Sequence, residues 1–268
     1  MLLDGFMGLV LLGIISVIVG VLIGTVGIGG ILLIPCLAYI ADLSTHESMA
    51  TALFSFTFTG LAGTWMFQLR RTIDWGISLP VCMGAVLFSY LGARVNAGVD
   101  PRILNVLLSL IILFSGVYTL RSSKGDGFEY LDGRSAAQRL LLLGTGAVVG
   151  FGSGLTGTGG PVLSVPVMVL MGFAPLTSIA TSQVLQIAVA SAGTLGNLQN
   201  GSVHLGLGLS VTVLELAGVV LGVRLAHSLA TVRLRQCVGA VCVGVGLLIL
   251  FRSREILFIG WEHVLRRI

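Results

Sequence analysis

The chain repeats itself. Around Gly20 it reads GVLIGTVGIGG, and around Gly150 it reads GFGSGLTGTGG. Five glycines recur 130 residues apart: Gly20/Gly150, Gly24/Gly154, Gly27/Gly157, Gly29/Gly159 and Gly30/Gly160. The same offset pairs Ala50-Thr51 with Ala180-Thr181, Gly63-Thr64 with Gly193-Thr194, Gly92 with Gly222 and Arg94 with Arg224. Pro35 matches Pro166 after a slip of one residue. Register held over this length marks a duplicated unit. Duplicated apolar units with paired glycine-rich breaks are a transporter pattern, with the substrate site expected between the halves.

The solvent for most of this chain is lipid. Apolar residues make up 55% and charged residues 10%, against about 25% charged in soluble domains. The runs Ser48–Leu69, Gly76–Ala93, Ile103–Leu120, Ser178–Leu198 and Val203–Val223 hold one acid and no Lys or Arg. Each is near the roughly 20 residues that cross a bilayer as helix. The runs lack the short alternation of a membrane β-barrel. The expected fold is therefore an all-α polytopic membrane bundle of two repeats. The N-terminal run continues past any cleavage point and reads as the first membrane segment. Cys36, Cys82, Cys237 and Cys242 lie in apolar runs without CxxC or ligand-spaced His and read as small buried hydrophobes. The net charge of +4 comes from bases at segment ends and does not point to nucleic acid.

Four units follow. Residues 1–121 form the first repeat, 122–138 a polar surface linker containing SKGDG, 139–251 the second repeat, and 252–268 a basic amphipathic tail suited to the lipid interface. The first segment of each repeat, Val10–Tyr39 and Leu140–Gly172, is too long for one simple span and is interrupted by glycine. If each break is crossed once, the chain has about eight transmembrane segments and parallel repeats. Lys and Arg then divide ten on the side of the termini and five on the other, which puts both termini in the cytoplasm. If each break is instead the tip of a re-entrant hairpin, each half crosses three times, the repeats are inverted, and the division is nine against six. The stronger asymmetry favours the eight-crossing reading. The side faced by Arg71 and by Ser202 distinguishes the two.

Glycine inside a helix costs about 1 kcal/mol relative to alanine, so the clusters Gly24–Gly30 and Gly154–Gly160 argue for broken helices. Pro161 suits the first turn of a new helix. A half-helix is expected to begin near Pro161 and another near Ile31. Such N-termini, with free N–H groups inside the membrane, are sites for an anion. The backbone of Gly29, Gly30, Gly159 and Gly160 would form the cradle, with the hydroxyls of Thr51, Thr156, Thr158 and Thr181 and the amide of Gln183 around it. The plain alternatives are close helix packing for the glycines and interhelical hydrogen bonding for the hydroxyls and amides. Gly20 lies outside the cradle, so its replacement by alanine is expected to be milder than that of Gly160. Arg94 and Arg224 could grip an anion with paired hydrogen bonds, or simply snorkel to headgroups. Glu215 is the one acid well inside an expected span and is a candidate proton carrier, the alternative being a buried carboxyl held by a neighbouring hydroxyl or Arg.

On GTVGIGGILLIP with a downstream ATALF, repeated as GSGLTGTGGPVLSVP with ATSQV, the chain resembles the sulfite exporter TauE/SafE family, also called the 4-toluene sulfonate uptake permease family. The resemblance runs from about residue 9 to 251; Ile28 interrupts the family's usual glycine run in the first copy. It implies an inner (plasma) membrane transporter of small sulfur-containing or organic anions such as sulfite or sulfonates. The expected partners are a small anionic substrate and the bilayer, with a coupling proton or ion and a second copy of the chain as further candidates. No cofactor, metal or nucleic acid is expected. No nucleophile–base or metal-ligand set points to an enzyme. The competing functions are a passive anion channel and a non-transporting receptor or scaffold.

Overall fold

The computed structural model describes residues 5–96, 135–156, 158–198 and 203–230, with helical positions scattered between 106 and 121 and between 232 and 250. The surface linker, apart from its last residues, and the basic tail lie outside the described residues. Every regular element among the described residues is helical. In chain order they are α1 (Gly5–Val26), α2 (Gly30–Ile40), α3 (Thr45–Leu69), α4 (Trp75–Asn96), α5 (Ala136–Thr156), α6 (Pro161–Leu170), α7 (Pro175–Leu198) and α8 (Leu205–Ser228). Three are long and apolar enough to cross a membrane: Met7–Val26, Trp75–Gly92 and Leu205–Ser228. Their outer faces carry large apolar side chains, as with Leu79, Met83, Leu87 and Leu91 on α4. That is the pattern of a bundle solvated by lipid. α3 and α7 are as long but carry more hydroxyls and amides, and Ser48, Thr51, Ser55 and Thr59 of α3 and Ser178, Thr181, Ser182, Gln183 and Gln186 of α7 are packed inside the bundle.

Local chemistry sets the ends. Ser44 and Glu47 form a reciprocal cap at the start of α3: the Ser44 hydroxyl accepts from the Glu47 N–H at 3.3 Å, and Glu47 accepts from the Ser44 N–H at 2.9 Å. The Ser44 hydroxyl also donates to the Glu47 carboxylate at 2.6 Å, and this bond, with that from the Ser44 N–H, holds the Glu47 carboxyl below its ordinary range. α1 ends in a left-handed glycine cap. Gly27 has φ 78°, and its N–H reaches Leu22 O at 3.1 Å and Ile23 O at 3.0 Å. Gly159 and Gly160 also have positive φ, 81° and 90°.

These left-handed glycines turn the chain back. A methyl group built on Gly8, near the start of α1, would touch Ile40 at the end of α2 at 3.6 Å. Thr145 in α5 donates to Met171, just past α6, at 3.4 Å. Each broken segment is thus a helical hairpin whose short arm returns along its long arm.

The glycine rows set the remaining packing. Along α1, Gly13, Gly20 and Gly24 meet Leu214, Glu215 and then Val219 with Gly222 in α8, so α1 and α8 run parallel. Gly146, Gly150 and Gly154 in α5 lie on the backbone of Val81, Ala85 and Ser89, so α4 and α5 are parallel too. A row of small residues every fourth position lets two backbones approach this closely. α3 and α7 cross in opposite directions: Gly193 faces Leu53, Gln186 bonds Phe56, and Gln183 fills the notch at Gly63. Gly116 packs on Cys242 and Val243, and Gly246 on Leu113, so those two segments are also antiparallel. Cys237 is exposed, which corrects its reading as buried; Cys36 and Cys82 are half-buried, and Cys242 is buried.

The loop after α7 and the loop after α3 therefore lie at opposite ends of the bundle. The His204 N–H donates to Thr51 near the start of α3 at 3.2 Å. At the other end His227 Nε2 lies 3.4 Å from Thr72, just beyond α3. The eight-crossing reading with parallel repeats needs both loops on one side and is corrected. Charge asymmetry favoured it, but glycine caps that reverse the backbone make each break a hairpin tip.

Candidate functional site

The two hairpin tips meet inside the bundle. A methyl group on Gly27 would lie 2.7 Å from Val165 and 3.9 Å from Pro161, at the start of α6, and 3.0 Å from Ser182 in α7. Gly30 and Gly159 both press on the ring of Phe56, where added methyls would stand 2.7 and 2.9 Å away. Only glycine leaves room for that ring. Ile23–Gly30 and Thr158–Pro166 are buried throughout. α2 begins at Gly30, and α6 begins with Pro161 in its first turn. Leu32 and Leu163 bond back to the carbonyls of Gly29 and Gly160, at 3.0 and 3.2 Å, and Pro161 has no N–H, so the N–H groups of Gly30, Ile31 and Val162 are the ones at the two positive helix ends in the interior. Irregular backbone at membrane depth is tolerated where protein encloses it, as here.

Buried polar groups surround the tips. Ser178, Thr181, Ser182, Gln183 and Gln186 of α7 are all buried. Gln183 donates to Ile23 O at 3.0 Å, in the last turn of α1. Gln186 donates to Phe56 O and to Thr59 Oγ1, both at 2.9 Å. The carbonyl oxygens of both glutamines have no hydrogen-bond partner, nor does the hydroxyl of Ser164 in α6.

The expected site residues fall into groups. Gly29, Gly30, Gly159, Gly160 and buried Thr158 are brought together at the tips, with Gln183 beside them. Thr51 and Thr181 are buried but engaged elsewhere: Thr51 accepts from His204, and Thr181 shares a 3.0 Å bond with Ser78 in α4. Arg224 is exposed on α8. The side chains of Thr156 and Arg94 lie outside the described residues. Glu215 is fully buried; Ser55 donates to its Oε2, while Oε1 has no partner. The same places in the other half hold Leu185 and Ala85. Gly20 is no free surface, because an added methyl would strike the backbone of Glu215. The expectation of a mild Gly20→Ala is overturned. Gly160 has more space, with Leu185 at 3.4 Å from an added methyl. Sequence reasoning missed Phe56, Ser55 and Ser164. The offset of 130 could have flagged Phe56, since it pairs that residue with Gln186.

Lipid-facing helices around two buried hairpin tips, with helix ends turned inward, define a polytopic membrane protein of the broken-helix class. The sulfite exporter TauE/SafE family model matches residues 12–249, and the chain belongs to that family. It is similar to the probable membrane transporter protein YunE of Bacillus subtilis, 27% identical over 74% of this chain and 80% of the relative. YdhB of the same organism, also named a probable membrane transporter protein, is 25% identical over 87% and 97%. The probable membrane transporter protein MJ0441 of Methanocaldococcus jannaschii is 26% identical over 90% and 94%. No solved structure matches. Family and relatives make this chain a membrane transporter.

Proposed function

We propose that the chain is a secondary transporter of a small sulfur-containing or organic anion, with its binding site between the two hairpin tips. The observation that carries this reading is the meeting of both glycine breaks on Phe56, with two helix N-termini in the buried interior. Backbone N–H groups near Gly29–Gly30 and Gly159–Gly160 hold the anion, and Thr158 lies within the same layer. Arg224, exposed on α8, serves the membrane surface rather than the ligand. The halves are inverted repeats, each a re-entrant hairpin followed by three crossings. Rocking of one half against the other exposes the site to each side in turn. Glu215 is the coupling group: a carboxyl buried beside Ser55 takes up and releases the proton that accompanies the anion.

On the reading of two re-entrant hairpins, nine of the Lys and Arg residues would fall on the linker side and six on the side of the termini. The positive-inside rule then places the linker in the cytoplasm of an inner-membrane protein and the termini outside. This reverses the orientation expected from eight crossings.

Purified protein in liposomes tests the reading with sulfite, thiosulfate, sulfonates and small carboxylates as tracers. Accumulation of one of them, driven by an imposed pH gradient, is the expected result. Downhill flux that ignores the proton gradient would mark a channel, and absence of flux for all of them would remove the anion-substrate reading.

A further inference from the structure

Gln186 presents an atom that the anion site described above does not use. The side chain is 2% exposed. Its Nε2 faces Phe56 O and Thr59 Oγ1. Thr59 sends its own hydrogen to Phe56 O at 3.3 Å, so both neighbours of Nε2 act as acceptors. A flipped amide would set oxygen against oxygen, which fixes the orientation. Oε1 is then left with no partner, and a buried acceptor is costly to leave unmatched. Gln183, one turn earlier, also has an unmatched Oε1, but that atom is set into the notch at Gly63. Gln186 is bonded instead to the backbone of Phe56, whose ring both hairpin tips touch. Its counterpart in the first half is Phe56 itself, so this acceptor exists on one side of the centre only.

Donors also stand at the centre. They are the N–H groups of Gly30, Ile31 and Val162, since those of Leu32 and Leu163 turn back to the carbonyls of Gly29 and Gly160 and Pro161 has none, together with the Ser164 hydroxyl, which is buried and unmatched on α6. An oxyanion satisfies these donors but offers nothing to Gln186 Oε1; a second anionic oxygen there would oppose it.

We infer that the ligand is a monoanion that also carries a hydrogen-bond donor, and that Gln186 Oε1 accepts from that donor. This deepens the anion-transport reading and rests on it. The class comprises hydroxy- or amino-substituted sulfonates and carboxylates and protonated oxyanions such as hydrogen sulfite. Simple alkyl sulfonates and fully deprotonated dianions fall outside it.

Two pairs of near-isosteric probes test the inference on the full chain in liposomes: 2-hydroxyethanesulfonate against propane-1-sulfonate, and glycolate against propionate. In each pair a hydroxyl replaces a methyl. The hydroxylated member is expected to be taken up, or to compete with a transported tracer, about tenfold better. In Gln186→Met the preference should fall to near parity. Equal handling of both members by the unmodified protein overturns the inference, whether or not the variant folds. A preference that survives in well-folded Gln186→Met overturns the assignment to Gln186. If neither these four anions nor sulfite binds or moves, the anion site itself falls and the inference with it.

Discussion

Gln186 donates its side-chain amide to the backbone carbonyl of Phe56, the residue 130 positions before it, at 2.9 Å. The two stand at the same offset as the paired glycines, and their contact lies on the crossing between α3 and α7. One counterpart supplies an aromatic ring that fills the space between the hairpin tips. The other supplies a polar group. The centre is symmetric in backbone and asymmetric in chemistry.

Phe56 should therefore matter more to transport than its burial alone requires. Phe56→Leu removes the ring that Gly30 and Gly159 contact, and truncation to Ala should cost roughly 3–5 kcal/mol of stability. We expect Phe56→Leu to remain monodisperse with transport reduced at least about tenfold, and Phe56→Ala to melt well below the parent. Normal flux in Phe56→Leu would show that the tips do not form the site.

The glycines should separate into two classes. Gly24→Ala would drive a methyl to 2.6 Å from Val219 O, and Gly20→Ala would meet the backbone of Glu215. Neither backbone can move aside cheaply, so both variants should lose yield and thermal stability. Gly160→Ala has space but holds φ 90°, where alanine is strained by about 1 kcal/mol or more. It should insert and purify yet lose affinity or turnover. Size-exclusion profiles and flux, measured together, would refute this division if Gly20→Ala proved as stable as the parent.

Glu215→Gln keeps the shape and the bond from Ser55 but cannot titrate. Counterflow exchange of anion should persist, while accumulation driven by a pH gradient should disappear. Retained gradient-driven accumulation would assign Glu215 to packing against Gly20.

Arg71 and His204 should face opposite sides of the membrane. Single cysteines at these positions, in a background freed of the four native cysteines, should be labelled by an impermeant thiol reagent from opposite faces of sealed vesicles. Labelling from the same face would contradict the hairpin topology.

Much of this was legible in the sequence. The glycine clusters located both breaks, and Pro161 located the start of α6 to the residue. What the sequence did not disclose was direction. A glycine that kinks a helix and one that reverses it read alike, and the difference lies in the φ of Gly27, Gly159 and Gly160. The same limit applied to Gly20 and Gly24. Their role became visible only with α8 alongside, nearly two hundred residues away in the chain. Glu215 stood out as the single intramembrane acid, but its partner Ser55 is one hydroxyl among many and carries no local signal.

The pairing of α1 with α8, and of α5 with α4, also bears on how the protein is made. α1 carries a glycine face that fits a helix completed only at Ser228. Until then that face has no backbone to receive it, and α1 must wait in the lipid or against a temporary partner. Contacts so distant along the chain form late and slowly. A chain truncated before α8 would leave the hairpin of α1 and α2 without its main support. The long arm of each hairpin finds its glycine-row partner in the other half of the chain, so the two halves complete each other.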